Sequence, residues 1–163
     1  MRLCERYTFD TFDVTDNNKM AFAAAFDITS RNSFSPLFIH GKTSTGKTHL
    51  LNAIGNKISD KEPQCKVEYI PTEEFVDVLI DGIRTGDKSK IKAFRDLDVM
   101  LIDDLQQISG KEATQDEFIS VFNALYMAEK RIIITMDHYP EKNDGIHERL
   151  RSRLQWGLDV EIS

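Results

Sequence analysis

The sequence has little cysteine and no long apolar run, and each shortage excludes a class of protein. Only two cysteines, Cys4 and Cys65, occur in 163 residues. They are too few for a disulfide-stapled scaffold or a cysteine zinc site. No apolar stretch approaches the roughly eighteen residues that a membrane-spanning helix needs, and the N-terminus lacks the apolar core of a signal peptide. We therefore predict a cytoplasmic protein with reduced cysteines and no membrane partner.

The chain also lacks a surplus of positive charge. It holds 21 Lys and Arg against 27 Asp and Glu, which gives a net charge of −6. Bulk electrostatic attraction to DNA or RNA needs the opposite balance, with basic residues gathered on one face. Any nucleic-acid binding is therefore expected to be local or shared with other subunits. The four histidines show no metal-ligand spacing either.

What the sequence does contain is an alternation of short apolar runs and helical patterns. The five apolar runs are residues 37–39, 67–70, 99–102, 132–135 and 158–162. Four are continuous, as in parallel strands covered on both faces, and the last alternates, which suits an edge strand. This order predicts a single doubly wound, five-stranded parallel α/β sheet with right-handed crossovers.

Helix signals lie between the apolar runs. Thr114 opens a Thr-x-x-Glu capping box, which predicts the start of a helix. Thr72 is expected to cap a second helix, and residues 17–27 predict a third. The polar segments 30–36 and 59–64 are predicted to be surface loops.

The strongest chemical signal is the motif G-x-x-x-x-G-K-T, between the first apolar run and a helical stretch that begins at Lys47. Its residues are Gly41, Lys42, Thr43, Ser44, Thr45, Gly46, Lys47 and Thr48. Such a loop wraps backbone N–H groups around a β-phosphate, while Lys47 neutralises phosphate oxygens and the Thr48 hydroxyl binds Mg²⁺. The N-terminus of the following helix favours the same anion. The alternative is a flexible turn without a ligand.

A second chemical signal is the apolar run 99–102, which ends in Asp103 and Asp104. In phosphate-loop enzymes we expect this strand to lie beside the loop strand, so that its carboxylate meets the metal held by Thr48. We predict that Asp103 holds the Mg²⁺ water shell and that Asp104 polarises the attacking water. The alternative is that both residues simply begin a surface loop.

Further polar groups follow the fourth apolar run. Asp137 is placed to read a γ-phosphate or orient water, or else to serve as a turn or cap residue. Arg149 and Arg153 lie four residues apart on one face of a predicted helix, and planar guanidinium groups suit a γ-phosphate. The alternative is a solvated basic face, paired with Glu148 or Asp144.

With these residues in view, the chain resembles the AAA+ ATPase domain of the bacterial chromosomal replication initiator DnaA over nearly its whole length. The matching stretches are residues 7–12, 32–38, 46–56, 101–106, 122–125 and 149–158. The resemblance implies a P-loop NTPase fold with strand order 5-1-4-3-2 and ATP or ADP with Mg²⁺ as cofactors. It also implies assembly on origin DNA switched by the nucleotide state, with weak ATP hydrolysis activated in trans.

The resemblance further implies roles for particular residues. His49 and Arg149 join the motif residues at the nucleotide, Asp137 becomes the sensor after the fourth strand, and residues 7–14 pack near the adenine. Arg153 matches the arginine finger, which in this family reaches the γ-phosphate bound by the neighbouring subunit. The expected partner is therefore a second copy or a full-length initiator in a head-to-tail oligomer, and origin DNA is reached only through that assembly or through other domains.

The sequence departs from the family pattern at several positions. Lys42 and Ser44 stand where the family usually has glycine, so the loop backbone is expected to be stiffer, and a positive φ at Ser44 would cost about 1 kcal/mol. Ile80 and Lys111 match residues that hold single-stranded DNA in the family, but Ala113 replaces a usual arginine. Weak DNA binding is expected as a result. His138 takes a position often occupied by arginine.

The chain ends at Ser163, directly after the fifth predicted strand. We therefore expect one AAA+ domain, residues 1–163, without the family's helical lid and helix-turn-helix domain. Hydrolysis by the isolated chain should be slow, because the site is open to water. Two other functions stay open: a non-catalytic regulatory paralogue or remnant that modulates a full-length initiator, and a small phosphate-loop kinase.

Overall fold

The computed structural model describes residues 2–30 and 34–163, which fold around a five-stranded parallel sheet. The strands are β1 (Leu37–His40), β2 (Val67–Pro71), β3 (Val99–Asp103), β4 (Arg131–Met136) and β5 (Leu158–Glu161). They are ordered β2-β3-β4-β1-β5 across the sheet, and every pair is parallel. The five predicted strands and the order 5-1-4-3-2, the same order counted from the other edge, are confirmed.

One expectation about the sheet was wrong: the carboxylate strand β3 does not lie beside the loop strand β1. Strand β4 lies between them, with Ile134 opposite Phe38 on one side and opposite Ile102 on the other. Strand β4 still links β1 and β3 where the strands end. Its buried residue Thr135 donates a hydrogen bond from its hydroxyl to Asp103.

Helices cover both faces of the sheet. They are α1 (Lys19–Asp27), α2 (Lys47–Lys61), α3 (Thr72–Thr85), α4 (Ser89–Phe94), α5 (Glu112–Met127) and α6 (Glu148–Leu154), with a 3₁₀ helix at Leu105–Ile108. Residues of α1 and α2 share one core with Leu37 and Ile39, whereas α3 to α6 share the other with Phe38. Alternate strand residues thus enter opposite cores, which explains why the runs are continuously apolar.

Two predicted helix caps are wrong. Helix α5 begins at Glu112, so Thr114 lies inside its first turn and is buried. Thr72 is the first residue of α3 rather than its cap, and its hydroxyl donates to the backbone carbonyl of Asp103 at 2.7 Å. The Thr72 hydroxyl, which the local pattern assigned to capping the helix, therefore makes a long-range hydrogen bond instead. The predicted loop 59–64 also begins inside α2, which continues to its third residue.

Other expectations agree or fall partly outside the described residues. Helix α1 occupies most of the predicted segment 17–27. The predicted loop 30–36 and the matching stretch 32–38 include residues 31–33, which lie outside the described residues. Within the described chain, no helix is long and apolar enough to cross a bilayer.

Candidate nucleotide-binding site

The phosphate loop joins β1 to α2 at the carboxyl edge of the sheet and borders a cleft of about 300 Å³. The cleft is lined by Tyr7, Thr43, Ser44, Gly46, Lys47, Thr48, His49, Asp104 and Gln106. Gly46, directly before α2, has a φ of 105°, which glycine adopts without steric cost. A Cβ at this position would also press on the Phe12 ring. Both the backbone and the packing therefore require glycine here.

Ser44 shows the positive φ considered from the sequence, at 64°. This is the left-handed region, where a residue with a Cβ is held at a cost of order 1 kcal/mol. The neighbouring hydroxyl of Thr45 turns back and donates to the Lys42 carbonyl at 2.7 Å. The Thr45 hydroxyl thus stabilises the turn of the phosphate loop, and the backbone strain lies at Ser44.

Lys47 is turned into the loop and is only 6% exposed. Its Nζ donates to the carbonyl oxygens of Gly41 at 2.5 Å and Lys42 at 2.7 Å. Burial lowers the pKa of Lys47, whereas the nearby carboxylates Asp104, Asp103 and Asp137 act in the opposite direction. The ammonium is therefore held inside the loop and within electrostatic range of three carboxylates.

Asp103, the last residue of β3, is buried and accepts hydrogen bonds from three hydroxyl groups. Its Oδ2 accepts from Thr48 Oγ1 at 2.8 Å and from the Tyr69 hydroxyl at 2.7 Å, and its Oδ1 accepts from Thr135 Oγ1. The structure thus brings Thr48 and Asp103, the two predicted metal ligands, into direct contact. A hydroxyl and a carboxylate are hard oxygen donors of the kind that Mg²⁺ prefers, so these residues fit the ion.

Sequence reasoning missed Tyr69 and Thr135. Both are buried on the strands that flank β3, where they orient the Asp103 carboxylate. Burial, reinforced by the hydrogen bond to Asp103, raises the pKa of Tyr69, so the phenol stays a donor. Thr135 carried a signal, as a polar residue at the end of the apolar run of β4, whereas Tyr69 follows Glu68 in β2 and carried none.

Asp104 follows β3 in a left-handed conformation with φ of 59°. Its backbone N–H donates to Thr135 Oγ1 at 2.9 Å. Burial and the adjacent charge of Asp103 raise the pKa of Asp104, and Gln106 and Lys47 oppose that rise. Asp104 lines the cleft as a carboxylate more basic than usual, a property that suits proton acceptance.

Asp137 follows β4 beside the cleft without lining it. Its backbone N–H donates to Gln106 Oε1 at 3.1 Å, and its carboxylate is hydrogen-bonded to His138 Nδ1. It remains within electrostatic range of Lys47 and Asp104. The structure therefore gathers the predicted sensor with the other charged groups at this edge of the sheet.

His49, predicted at the nucleotide, borders the cleft but packs its ring on the N-terminal segment. Its Nε2 is hydrogen-bonded to the Thr8 carbonyl at 2.8 Å. The ring stacks on Tyr7 with centroids 4.8 Å apart and meets Phe12 edge-on at 5.1 Å. His49 therefore anchors the segment that was predicted to pack near the adenine.

Two asparagines of α2, also missed from the sequence, hold the same segment. Asn52 Oδ1 accepts from the Cys4 backbone N–H at 2.8 Å, and Asn52 Nδ2 donates to the Thr48 carbonyl at 2.8 Å. Asn56 Nδ2 donates to the carbonyls of Cys4 and Tyr7, both at 2.9 Å. The N-terminal segment is thereby fixed to the helix that carries Thr48.

Arg149 and Arg153 lie on α6 and do not line the cleft. Arg149 pairs with Asp116 of α5 at 2.7 Å, and this partner differs from both acidic residues considered from the sequence. Arg153 Nε donates to Asn123 Oδ1 at 2.8 Å, and its guanidinium lies 5.1 Å from the centroid of the Trp156 ring. Each arginine thus has a partner on helix α5, and neither borders the chain's own cleft.

The two residues predicted for weak nucleic-acid contact lie elsewhere on the surface. Ile80 is 57% exposed on α3, and Lys111 is exposed directly before α5. The groove around Ile80 is lined by Glu74, Asp77, Val78, Asp81, Arg84 and Lys90. Carboxylates on that groove disfavour a phosphate backbone, in keeping with the weak binding expected.

The site and the topology together define a class of protein. A phosphate loop after β1, a carboxylate at the end of β3 and a polar residue after an inserted β4 define a P-loop NTPase domain of the AAA+ type. The family model for the bacterial DnaA ATPase domain matches residues 3–161. The chain therefore belongs to the bacterial DnaA ATPase domain family.

Individual relatives agree with this assignment. The chain is 43% identical over 160 residues to the chromosomal replication initiator protein DnaA of Citrifermentans bemidjiense, covering 96% of this chain and 35% of that protein. It thus spans about a third of the length of this relative.

Solved structures show the same fold. Domain III of the Thermotoga maritima replication initiation protein DnaA superposes with a TM-score of 0.95 at 36% identity, covering 100% of this chain and 69% of that chain. A replication initiator DnaA bound to AMPPCP and single-stranded DNA gives a TM-score of 0.92 at 36% identity, covering 99% of this chain and 51% of that one.

Proposed function

We propose that this chain is the cytoplasmic nucleotide-binding module of a DnaA-type replication initiator, binding ATP or ADP with Mg²⁺ at the phosphate loop. The observation that carries the proposal is the 2.8 Å hydrogen bond from Thr48 Oγ1 to Asp103 Oδ2. It joins a loop hydroxyl and a strand carboxylate, the donor pair expected for the metal of a P-loop ATPase. The related DnaA structure bound to AMPPCP and single-stranded DNA supports the same function.

Each charged residue of the cleft has a separate proposed task. Lys47 exchanges its loop carbonyls for phosphate oxygens and neutralises their charge. Thr48 and Asp103 hold Mg²⁺, which when bound shields the phosphate charge. Asp104, whose pKa is raised by burial and by Asp103, orients the attacking water, and Asp137 senses the γ-phosphate. Because the cleft is open to water, we expect turnover by a single chain below about 1 s⁻¹.

Titration calorimetry with Mg-ATP tests the nucleotide site. Lys47→Ala should weaken binding by roughly 100-fold, because it removes a charge-assisted contact to the phosphates. The matched control is Lys57→Ala, which removes a lysine from the same helix outside the cleft and should bind as the wild type does. Equal affinity in the wild type and Lys47→Ala would refute the proposed site.

We also propose that Arg153 acts on the nucleotide of a neighbouring subunit. Neither Arg153 nor Arg149 lines the chain's own cleft, while Asn123 and Trp156 hold the Arg153 guanidinium in one orientation. A pre-oriented arginine finger supplied by a neighbour is worth about 10³ to 10⁵ in rate. Such a contact joins two different surfaces and leads to a head-to-tail assembly of this chain, or of this chain with a full-length initiator.

Complementation between variants tests this assignment. Arg153→Ala should bind ATP nearly as the wild type does, yet lose nucleotide-dependent self-association. Mixed with Lys47→Ala, its intact nucleotide site can be served by the Arg153 of the other variant, so that partial assembly or turnover returns. Arg84→Ala, an exposed arginine of α3, is the control and should behave as the wild type does. No recovery on mixing, with lost ATP binding by Arg153→Ala alone, would assign Arg153 to its own subunit.

We propose that origin DNA is reached through the assembly or through other parts of an initiator. Ile80 and Lys111 contribute only weak single-strand contacts, because carboxylates line the groove around Ile80 and the net charge is −6. Fluorescence anisotropy with the monomer should detect no tight duplex binding. Micromolar or tighter binding at physiological salt would contradict the proposal.

A further inference from the structure

The loop after β4 contains a histidine whose two ring nitrogens each face a carboxylate. His138 Nδ1 is hydrogen-bonded to Asp137 Oδ1, and Nε2 to Asp144 Oδ2 at 2.7 Å. Ionised carboxylates only accept hydrogen bonds, so both ring nitrogens must donate. Only the imidazolium form can do so. The geometry therefore calls for a charged His138 whenever both aspartates are ionised.

The Asp144 end of this arrangement is fixed to neighbouring backbone. Asp144 Oδ2 also accepts from the Glu141 N–H at 2.7 Å, and the Asp144 carbonyl accepts from Ser109 Oγ. The loop is thus tied to the turn that follows the 3₁₀ helix. His138 consequently bridges an anchored carboxylate to Asp137, the carboxylate beside the phosphate loop.

Charges act on this bridge from the loop itself, from α6 and from the cleft. They are Asp137 and Asp144 on the loop, Arg151 on α6, and Asp104 and Lys47 at the cleft. Burial lowers the pKa of His138, but the hydrogen bonds and charges of Asp137 and Asp144 outweigh it and raise the pKa above its ordinary value. The ring is 47% exposed, so solvent screens part of this effect.

We infer that His138 in its charged form is a positioning residue for Asp137, and that loss of its proton weakens nucleotide binding at the adjoining phosphate loop. This inference rests on the proposed nucleotide site. The imidazolium offsets the charge of Asp137, which lies in electrostatic range of Lys47. Without it, the incoming polyphosphate meets additional negative charge.

The direction of the pH dependence follows from the raised pKa of His138. The bridge is fully charged below the ordinary histidine value of 6.5 and is lost as the pH rises through the raised value. Mg-ADP affinity should therefore fall with rising pH by roughly two- to fivefold, the size expected for half-exposed charge pairs.

Calorimetry between about pH 6 and pH 8.5, the range in which a perturbed histidine titrates, tests the inference with two variants. His138→Arg keeps a permanent cation, and His138→Gln keeps only a neutral donor. The wild type should match the arginine variant at low pH and approach the glutamine variant at high pH, while the ratio between the two variants stays constant. A constant ratio of wild type to His138→Gln at every pH would overturn the inference.

Imidazole NMR of the nucleotide-free protein gives a second, independent measurement. The His138 titration should lie above 6.5 and move down in Asp144→Asn, whereas Glu141→Gln, on the same loop, should leave it in place. If His138 instead titrates at the ordinary histidine value and Asp144→Asn leaves that value unchanged, the inference is overturned. If the wild type binds no nucleotide while the NMR titration is raised, the proposed nucleotide site fails and the charged bridge stands.

Discussion

At the amino end of the parallel sheet, two ion pairs hold charges of opposite sign together. Arg131 Nη2 contacts Glu62 Oε2 at 2.8 Å, and each of these side chains is only 11% exposed. Lys130 pairs with Asp98 at 2.8 Å, and the Lys130 ammonium and the Lys66 backbone N–H lower the pKa of Asp98. These contacts join α2, β3 and β4, so their effect is on the stability of the fold.

At the carboxyl end of the same sheet, three carboxylates gather around the one lysine of the described cleft. Asp103, Asp104 and Asp137 lie within electrostatic range of Lys47. Ser44 and Asp104 hold left-handed conformations at this end, but Glu129 holds one at the amino end, so backbone strain does not distinguish the two ends. The difference lies in the charge, because the excess of carboxylates remains where a ligand is expected to supply the missing interactions. The contrast separates residues that stabilise the protein from residues that serve its function.

The largest stability effect is expected at the amino end. Arg131→Ala should lower the free energy of unfolding by about 3–5 kcal/mol, because a buried ion pair loses one partner. The carbonyls of Ile28 and Thr29 also lose a donor. Denaturant unfolding measures this loss, and nucleotide affinity should stay unchanged.

The matched control for Arg131 is an exposed ion pair. Arg84→Ala breaks the pair with Asp81 on the surface of α3 and should cost about 1 kcal/mol or less. Similar losses for both arginine variants would remove the distinction between the buried Arg131–Glu62 pair and an exposed ion pair.

A smaller effect of opposite sign is expected at the carboxyl end. Burial and Asp103 raise the pKa of Asp104, so the protonated form stabilises the fold at low pH and that contribution is lost as the pH rises through the raised value. Asp104→Asn mimics the protonated form and tolerates a left-handed backbone. It should stabilise the protein at pH 7 by about 0.5–1 kcal/mol, allowing for partial exposure.

Thermal unfolding across a pH series checks this sign. The advantage of Asp104→Asn should shrink as the pH falls to the ordinary aspartate value of 3.8. Asp77→Asn, an exposed carboxylate on α3, serves as the control and should show no such trend. An Asp104→Asn variant less stable than the wild type at neutral pH would mean that the carboxylates at this end are not in conflict.

The smallest effect concerns the strained loop. Ser44→Gly removes the Cβ at a φ of 64°, but glycine also gains freedom in the unfolded chain. The net gain in the free energy of unfolding should be about 0.5 kcal/mol or less. Ser44→Ala keeps the Cβ and should show no gain in denaturant unfolding. Equal behaviour of the two variants would exclude backbone strain as the cause.

The strands and site residues that could be predicted from the sequence are those that depend on short, local sequence patterns. Apolar runs identified all five strands. Four runs are continuous because those strands are covered on both faces, whereas the run of β5 alternates because this edge strand buries one face. The phosphate-loop motif identified Lys47 and Thr48, and the paired carboxylates marked Asp103 and Asp104. In both motifs, phosphate or metal binding requires these residue types at fixed positions close together in the chain, so the motif can be recognised without the structure.

The parts that could not be predicted depend on contacts between distant segments. Tyr69 reaches Asp103 only because β2 and β3 pair, and Asn52 holds Cys4 only because the N-terminal segment returns to α2. The insertion of β4 between β1 and β3 leaves no mark in either strand, and only the family resemblance predicted it. Thr72 was assigned to a local cap for the same reason, since its acceptor lies across the fold.

The position of β1 between two strands that come later in the chain, β4 and β5, has a consequence for biosynthesis. Leu37 lies opposite Ile133 on one side and Leu158 on the other, and the Ile162 N–H donates to the His40 carbonyl at 2.9 Å. A ribosome therefore makes the phosphate loop long before it makes the strands that flank it. Until then, the nascent chain carries β1 as an unpaired apolar segment, the kind of surface that chaperones engage.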